Sequence, residues 1–279
     1  MRGELAGFAS RPNGWEAFDL CAPRSAVCAQ WPTLGSGEVH VWTIPLDVGP
    51  HAMSRLGGVL APEELAKFDQ VTETSVRRHR VVSRAAVRLI LSCYLGVAPV
   101  EVRFVTRARG KPGLLPASNP AGLQFNLAHS GELALLAVGR GRSVGVDVER
   151  IRPGWRFEEV SSGFFAPSEV QHLALQPRRL RREAFYAAWC RKEAYLKGLG
   201  LGVGEHMRRV EVSVDPRASA GLLRSGGVGA AEWGLLDVPV LPGYRGCLAV
   251  EGNAAIAWLG CLTVRLPHLS DLLESLVAG

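Results

Sequence analysis

The chain has 279 residues, 47% of them apolar and 21% charged, which is the composition of a globular protein and excludes a disordered or fibrous one. The uncharged stretch 112–130 is broken by Pro112, Pro116, Asn119 and Pro120, and no apolar run of 18 residues exists, so a transmembrane helix is excluded. A formal net charge of +6 favours an anionic ligand or an acidic protein partner through long-range steering.

The first residues, MRGELAGFASRPNGWEAFDL, interrupt each short apolar run with Glu, Arg, Asn or Asp, so no secretory core can be drawn and a cytoplasmic location is expected. Residues 1–37 read as an N-terminal tail. The six cysteines contain no CxxC pair and are too sparse for a disulfide framework, so they read as reduced, mostly buried thiols. Only four of the 32 basic residues are lysines, namely Lys67, Lys111, Lys192 and Lys197. Lysine offers a compact, mobile ammonium where arginine offers a planar fork.

From residue 38 onward the predicted elements come twice. VHVWTIPL at 39–46 and VGVDVERI at 144–151 share an alternating apolar pattern at an offset of 105, and each predicts a strand. GVLAPEELAKF at 58–68 matches GFFAPSEVQHL at 163–173 at the same offset, with proline where a helix opens. Longer helices are predicted at 75–95, with an apolar face of Val82, Ala85, Ala86, Leu89 and Cys93, and at 181–197; Gly96 and Gly198 are expected to end them. Strands are then expected at 100–104 and 210–214, and at 133–139 and 254–260. The last dozen residues read as a short terminal helix. The fold expected is α+β: two similar lobes, 38–142 and 143–279, related by a pseudo-two-fold axis, with a ligand cleft where they meet.

The chemistry-bearing residues concentrate in the second half. In VGVDVE, alternation sends Val144, Val146 and Val148 one way and Gly145, Asp147 and Glu149 the other, so two carboxylates share a face, either within reach of one hard cation or on a solvent-exposed side of the strand. At the offset of 105 the first half carries Trp42 and Ile44 instead, so one acidic centre is expected. On the helix EAFYAAWCRKEAYLKG, Glu193 and Lys197 are four residues apart on one face, flanked by aromatic residues. A buried Glu and Lys need partners such as a metal or a phosphate. FNLAHSGELALLAV reads as a hairpin with a polar turn at His129, Ser130 and Gly131, and GKPG at 110–113 reads as a loop holding Lys111 beside a rigid proline.

Four motifs together, GKP at 110–112, FNLAHS at 125–130, GVDVE at 145–149 and WCRKEAYLK at 189–197, resemble the 4'-phosphopantetheinyl transferases of the two-lobed, surfactin-synthetase-activating type. The resemblance implies a magnesium-dependent enzyme, with Mn2+ as a substitute, that moves the phosphopantetheine arm of coenzyme A to a serine of an apo acyl or peptidyl carrier protein in polyketide or nonribosomal peptide synthesis. It implies a metal held by Asp147, Glu149 and Glu193, and catalytic work by Glu193, Lys197 and Asp147. Coenzyme A would be held by Lys67, Arg80, Gly110, Lys111, Pro112, His129, Ser130, Lys192 and Lys197; for the arginine near the start of the first long helix, Arg78 and His79 compete with Arg80. Glu169 is either a further acidic neighbour of the metal or a helix N-terminal charge. The segment 198–208, with Leu201 and Met207, is the expected carrier-docking surface. A monomer with no membrane and no nucleic-acid partner is expected, although the arginine clusters at 77–80 and 178–182 keep nucleic acid as a rival partner. A relative that binds coenzyme A or a carrier without transfer is the remaining alternative.

Overall fold

A computed structural model of the chain describes residues 16–19, 32–35, 37–107, 110–202, 204, 206–227, 229, 232–252 and 259–265. Along the chain run β1 (Glu16–Asp19), β2 (Val39–Pro45), α1 (Pro50–Gly57), α2 (Pro62–Asp69), α3 (Thr74–Leu95), β3 (Phe104–Thr106), β4 (Pro112–Leu114), β5 (Leu123–Ser130), β6 (Leu133–Arg140) and β7 (Val144–Arg150). They are followed by α4 (Phe157–Phe164), α5 (Pro167–Leu175), α6 (Arg181–Leu199), β8 (Glu211–Val212), β9 (Leu222–Arg224), β10 (Trp233–Val238), β11 (Tyr244–Glu251) and β12 (Leu259–Arg265). The class is α+β.

Two main sheets form, in the orders β1-β12-β2-β6-β5 and β10-β11-β7. Side-chain parity sorts their residues into three apolar clusters. In β2, Trp42 and Ile44 face α3 with Val82, Ala85 and Ile90. On the opposite face of β2, Val39 and Val41 meet Val144, Val146 and Val148 of β7 in a cluster between the two sheets. The far side of the second sheet packs Cys247 and Ala249 against Phe185, Cys190 and Ala194 of α6. Where β5 meets β7, side chains replace the backbone ladder: Val146 N donates to Asn126 Oδ1 at 2.8 Å and Arg150 N to Ser130 Oγ at 3.1 Å.

The Ala-Pro-x-Glu repeat opens a helix in both halves. Proline sits in the first turn, and the glutamate returns to the N-cap amide, Glu64 to Ala61 N at 3.0 Å and Glu169 to Ala166 N at 2.8 Å. Gly96 closes α3 in the left-handed conformation at φ +69°. The second long helix runs two residues further than its sequence suggests. Gly198 is still helical, and Gly200, at φ +70°, is the cap. The strand expected at 100–104 is displaced, a 3-10 turn at Pro99–Glu101 giving way to β3, because Pro99 starts the turn. Only Glu211–Val212 of the expected 210–214 strand pairs. β12 joins the first sheet, parallel to β2, although it follows the second half in sequence; residues 254–258 and the expected terminal helix lie outside the described residues. Among the described residues no helix is long and apolar enough to cross a membrane.

Candidate active site

β7 and α6 supply the centre of the site, and they touch backbone to backbone. A β-carbon placed on Gly145 would lie 2.0 Å from Ala194 O and 2.3 Å from Gly198 N, so only glycine allows this approach. The next two residues on that face of β7, Asp147 and Glu149, therefore sit beside the helix turn carrying Glu193 and Lys197. Lys197 Nζ donates to Asp147 Oδ1 at 2.5 Å and stands 3.3 Å from Glu193 Oε2. Ser130 Oγ, at the end of β5, donates to Glu149 Oε2 at 2.6 Å. Asp147, Glu149, Glu193, Lys197 and Ser130 are thus brought together from three elements.

The electrostatics are those of crowded, partly dehydrated carboxylates. Burial raises the Asp147 carboxyl, Lys197 opposes the rise, and the Glu149 charge adds to it. Burial and the Glu193 charge raise Glu149 against the pull of Ser130, and burial with the Asp147 charge raises Glu193. Lys197 is raised although burial pulls it down, because Asp147 and Glu193 hold its proton. Cys190, beside Asp147, is pushed up by burial and then by the adjacent carboxylates, and its thiol lies 3.4 Å from Arg245 O; Asp147 Oδ2 is buried.

Among the described residues no three acidic, His or Cys side chains lie together as a ready metal site, and the Lys197 ammonium bridges Asp147 and Glu193. The donor set nevertheless fits a hard divalent cation. It is made of carboxylate oxygens, one of them buried in the interior, whose mutual repulsion a cation would relieve.

A cavity of about 290 Å³ lies between α3, the Lys111 loop and β5, with Arg80 and His129 on its polar side and Phe68, Val87, Phe125 and Pro112 among its walls. His129 links this cavity to the acidic centre. Burial lowers its pKa, and the charges of His79, Lys197 and Arg80 lower it further. Of the three competing side chains on α3, Arg78 and His79 are both engaged with Glu132, His79 Nε2 at 2.8 Å, whereas Arg80 is exposed and lines the cavity. Gly110 takes φ +84° in the turn before Lys111. Lys67 is exposed on α2 and is not among the cavity-lining residues.

Two expectations are corrected. Lys192 is fully buried and ion-paired to Glu169 on the far side of α6, where its ammonium also donates to Val210 O, so it cannot face a ligand in the cleft. Of the two readings of Glu169 the helix N-terminal one holds: it caps α5, accepts from Val212 N at 2.8 Å and pairs with Lys192, away from the acidic centre. Met207 and Leu201 lie in the α6 core, 0% and 8% exposed, and offer no docking surface. Lys111 also differs from expectation: its Nζ donates to Val144 O at 3.0 Å and Gly198 O at 2.9 Å, and burial with the Arg107 charge lowers its pKa to about 8 against the pull of Glu251.

Sequence reasoning missed the second cavity, about 190 Å³, which joins Glu149 to Arg152, Trp155, Phe185, Tyr186 and Trp189. The aromatic density of FYAAW was its signal, but the loop delivering Arg152 and Trp155 has no periodicity. Arg84 was missed too. It stacks 3.7 Å above the Phe104 ring, pairs with Glu64 and forms part of the first cavity's wall.

The family described as the 4'-phosphopantetheinyl transferase superfamily matches residues 143–248, which hold β7, α6 and all four of Asp147, Glu149, Glu193 and Lys197. The protein named 4'-phosphopantetheinyl transferase HetI in Nostoc sp. is 36% identical over 226 residues, covering 81% of this chain and 92% of its own length. A phosphopantetheinyl transferase of Thraustochytrium sp. is 29% identical over 202 residues, covering 66% of this chain and 69% of its own. A 4'-phosphopantetheinyl transferase of Bacillus subtilis is 25% identical over 159 residues, covering 57% and 67%. On that 36% identity across nearly the whole of a named transferase, with the acidic strand and lysine helix inside the matched segment, the chain belongs to the 4'-phosphopantetheinyl transferase superfamily.

Proposed function

We propose that the chain transfers the 4'-phosphopantetheine arm of coenzyme A to the serine hydroxyl of an apo acyl or peptidyl carrier protein, with Asp147, Glu149 and Glu193 holding Mg2+ or Mn2+. The observation that carries this reading is the Asp147–Lys197–Glu193 cluster beside a cavity whose polar groups, Arg80 and His129, suit a phosphorylated nucleotide. The serine oxygen forms a bond to the β-phosphorus of coenzyme A, the pyrophosphate P–O bond breaks, and adenosine 3',5'-bisphosphate leaves. Glu193, its carboxyl raised by burial and by Asp147, takes the serine proton. Lys197 stabilises the charge that builds on the leaving phosphate. The divalent ion supplies Lewis-acid neutralisation of the pyrophosphate oxygens when bound.

Arg80, His129 and Pro112 are assigned to the nucleotide end of coenzyme A, with Gly110 shaping the loop, while Ser130 orients Glu149. The lobes 38–142 and 143–279 are read as pseudo-two-fold relatives, supported by the shared parity of β2 and β7 around the central cluster. The enzyme is read as a cytoplasmic monomer serving acidic carriers of polyketide or nonribosomal peptide synthesis, in keeping with its net positive charge. Intact-protein mass spectrometry on a panel of apo carriers with coenzyme A and Mg2+ tests it. One phosphopantetheine added per carrier, with loss of the gain under a chelator, is expected; no gain on any carrier refutes the reading.

A further inference from the structure

We infer that Lys111 is a positioning residue that clamps the two elements of the catalytic centre together, and not a ligand of coenzyme A. This inference rests on the transferase reading above. β7 carries Asp147 and Glu149, and α6 carries Glu193 and Lys197, so the spacing of these four groups is the spacing of one strand from one helix. At the seam Gly145 brings β7 directly against the backbone of Ala194 and Gly198. One side chain from outside spans it. The Lys111 ammonium, arriving from the loop between β3 and β4, donates to Val144 O on the strand and to Gly198 O on the helix.

Both acceptors sit close to the reacting groups in sequence. Val144 lies three residues before Asp147, and Gly198 directly follows Lys197. The carbonyl of Gly198 belongs to the last turn of α6, where carbonyls lack intrahelical partners; the cap amides of Gly200 and Leu201 return to Lys197 O and Leu196 O. A cation at this end also complements the helix dipole. The loop presents the lysine rigidly: Gly110 turns at φ +84°, Pro112 follows, and Arg107 N donates to Lys111 O at 2.8 Å. Two of the three ammonium donors are therefore committed to the seam. The residue is half-buried in the structure and is absent from the lining of the Arg80–His129 cavity.

The test compares wild type with Lys111→Met and Lys111→Arg on one apo peptidyl carrier, reading kcat and, by calorimetry with Mg2+ present, the dissociation constant of coenzyme A itself. A clamp predicts that Lys111→Met lowers kcat by roughly 10- to 100-fold, the scale of an ångström-level misplacement, while coenzyme A binding stays within about threefold. Lys111→Arg, which can still donate to both carbonyls, recovers most of kcat. If Lys111→Met does not fold, Lys111→Gln, with an amide donor on a shorter stem, is read by the same two constants. Coenzyme A binding weakened tenfold or more with kcat retained would make Lys111 a ligand and overturn the inference. Wild-type transfer with both constants unchanged in the Met variant overturns the clamp alone, whereas no transfer by wild type on any carrier overturns the transferase reading and the clamp with it.

Discussion

Gly145→Ala is the smallest perturbation that reaches the centre of the site. The added methyl would meet Ala194 O at 2.0 Å, Gly198 N at 2.3 Å and Gly198 Cα at 2.7 Å, all of them backbone atoms that cannot rotate away. Restoring an ordinary carbon contact of about 3.5 Å requires α6 to move off β7 by roughly 1.5 Å. That displacement would open the 2.5 Å hydrogen bond between Lys197 and Asp147 beyond bonding distance and carry Glu193 away with it. Overpacking of this kind costs about 1–3 kcal/mol, and a rigid backbone clash lies at or above the top of that range. At roughly 2–4 °C per kcal/mol for a domain of this size, a fall in melting temperature of about 6–12 °C is expected. The misplacement of the reacting groups should lower kcat by about 100-fold or more in the carrier mass assay. An alanine variant that melts within a degree of wild type and keeps full activity would refute the reasoning, since it would show that α6 and β7 are not in direct backbone contact.

Asp147→Ala and Glu193→Ala should each remove most transfer while the far-ultraviolet circular dichroism stays native; full activity in either would contradict its assigned role. Lys192→Met strands Glu169, a carboxylate 1% exposed, and should cost about 3–5 kcal/mol in a denaturant titration, with no specific loss of coenzyme A affinity. Arg80→Ala should weaken coenzyme A binding by tenfold or more in calorimetry, whereas Arg78→Ala, which loses only contacts to Asp47 and Glu132, should not. His40 is buried and its pKa is lowered to about 4, so the unfolded chain takes up the proton first as pH falls below 6.5. Its contribution is therefore present above pH 6.5 and lost as pH falls toward 4, amounting to about 3 kcal/mol; His40→Gln should flatten the measured stability–pH curve in that window.

The strands and helices that obey a simple period were legible in the sequence. β2 and β7 alternate strictly because each is buried on both faces by different partners, and α3 shows its stripe because only one side meets the sheet. The Ala-Pro-x-Glu openings were legible as proline positions, and the glutamate then had a local task, the cap, that holds wherever the helix ends up. What the sequence hid was direction. Lys192 and Glu193 are adjacent in the chain, about 100° apart around the helix, and so enter different surroundings, one the Glu169 core and the other the acidic centre. Lys111 sits in a recognisable loop, yet its acceptors are 33 and 87 residues away, a separation that no local pattern encodes. Gly198 resembled a helix stop, but it is retained inside the helix where the Trp233 ring and Gly145 press on it, and a side chain there would collide at 2.5 Å.

The contrast between the two halves follows from the same parity. Val39 and Val41 of β2 share the central cluster with Val144 and Val146 of β7, so both strands turn their alternate residues outward toward a long helix. In the first half those residues are Trp42 and Ile44, both 0% exposed, and they fill the space under α3 with carbon. In the second half the residues at the offset of 105 are Asp147 and Glu149, and beside them α6 places Glu193 and Lys197. The buried carboxylates share the Lys197 ammonium, with the Ser130 hydroxyl on Glu149 and the Trp189 side chain on Glu193, and their charges raise one another. Such an arrangement costs stability that an apolar core would have retained. In the first half the corresponding face of β2 is filled with carbon, and under the transferase proposed above the acids at Asp147, Glu149 and Glu193 are kept for the cation they would bind.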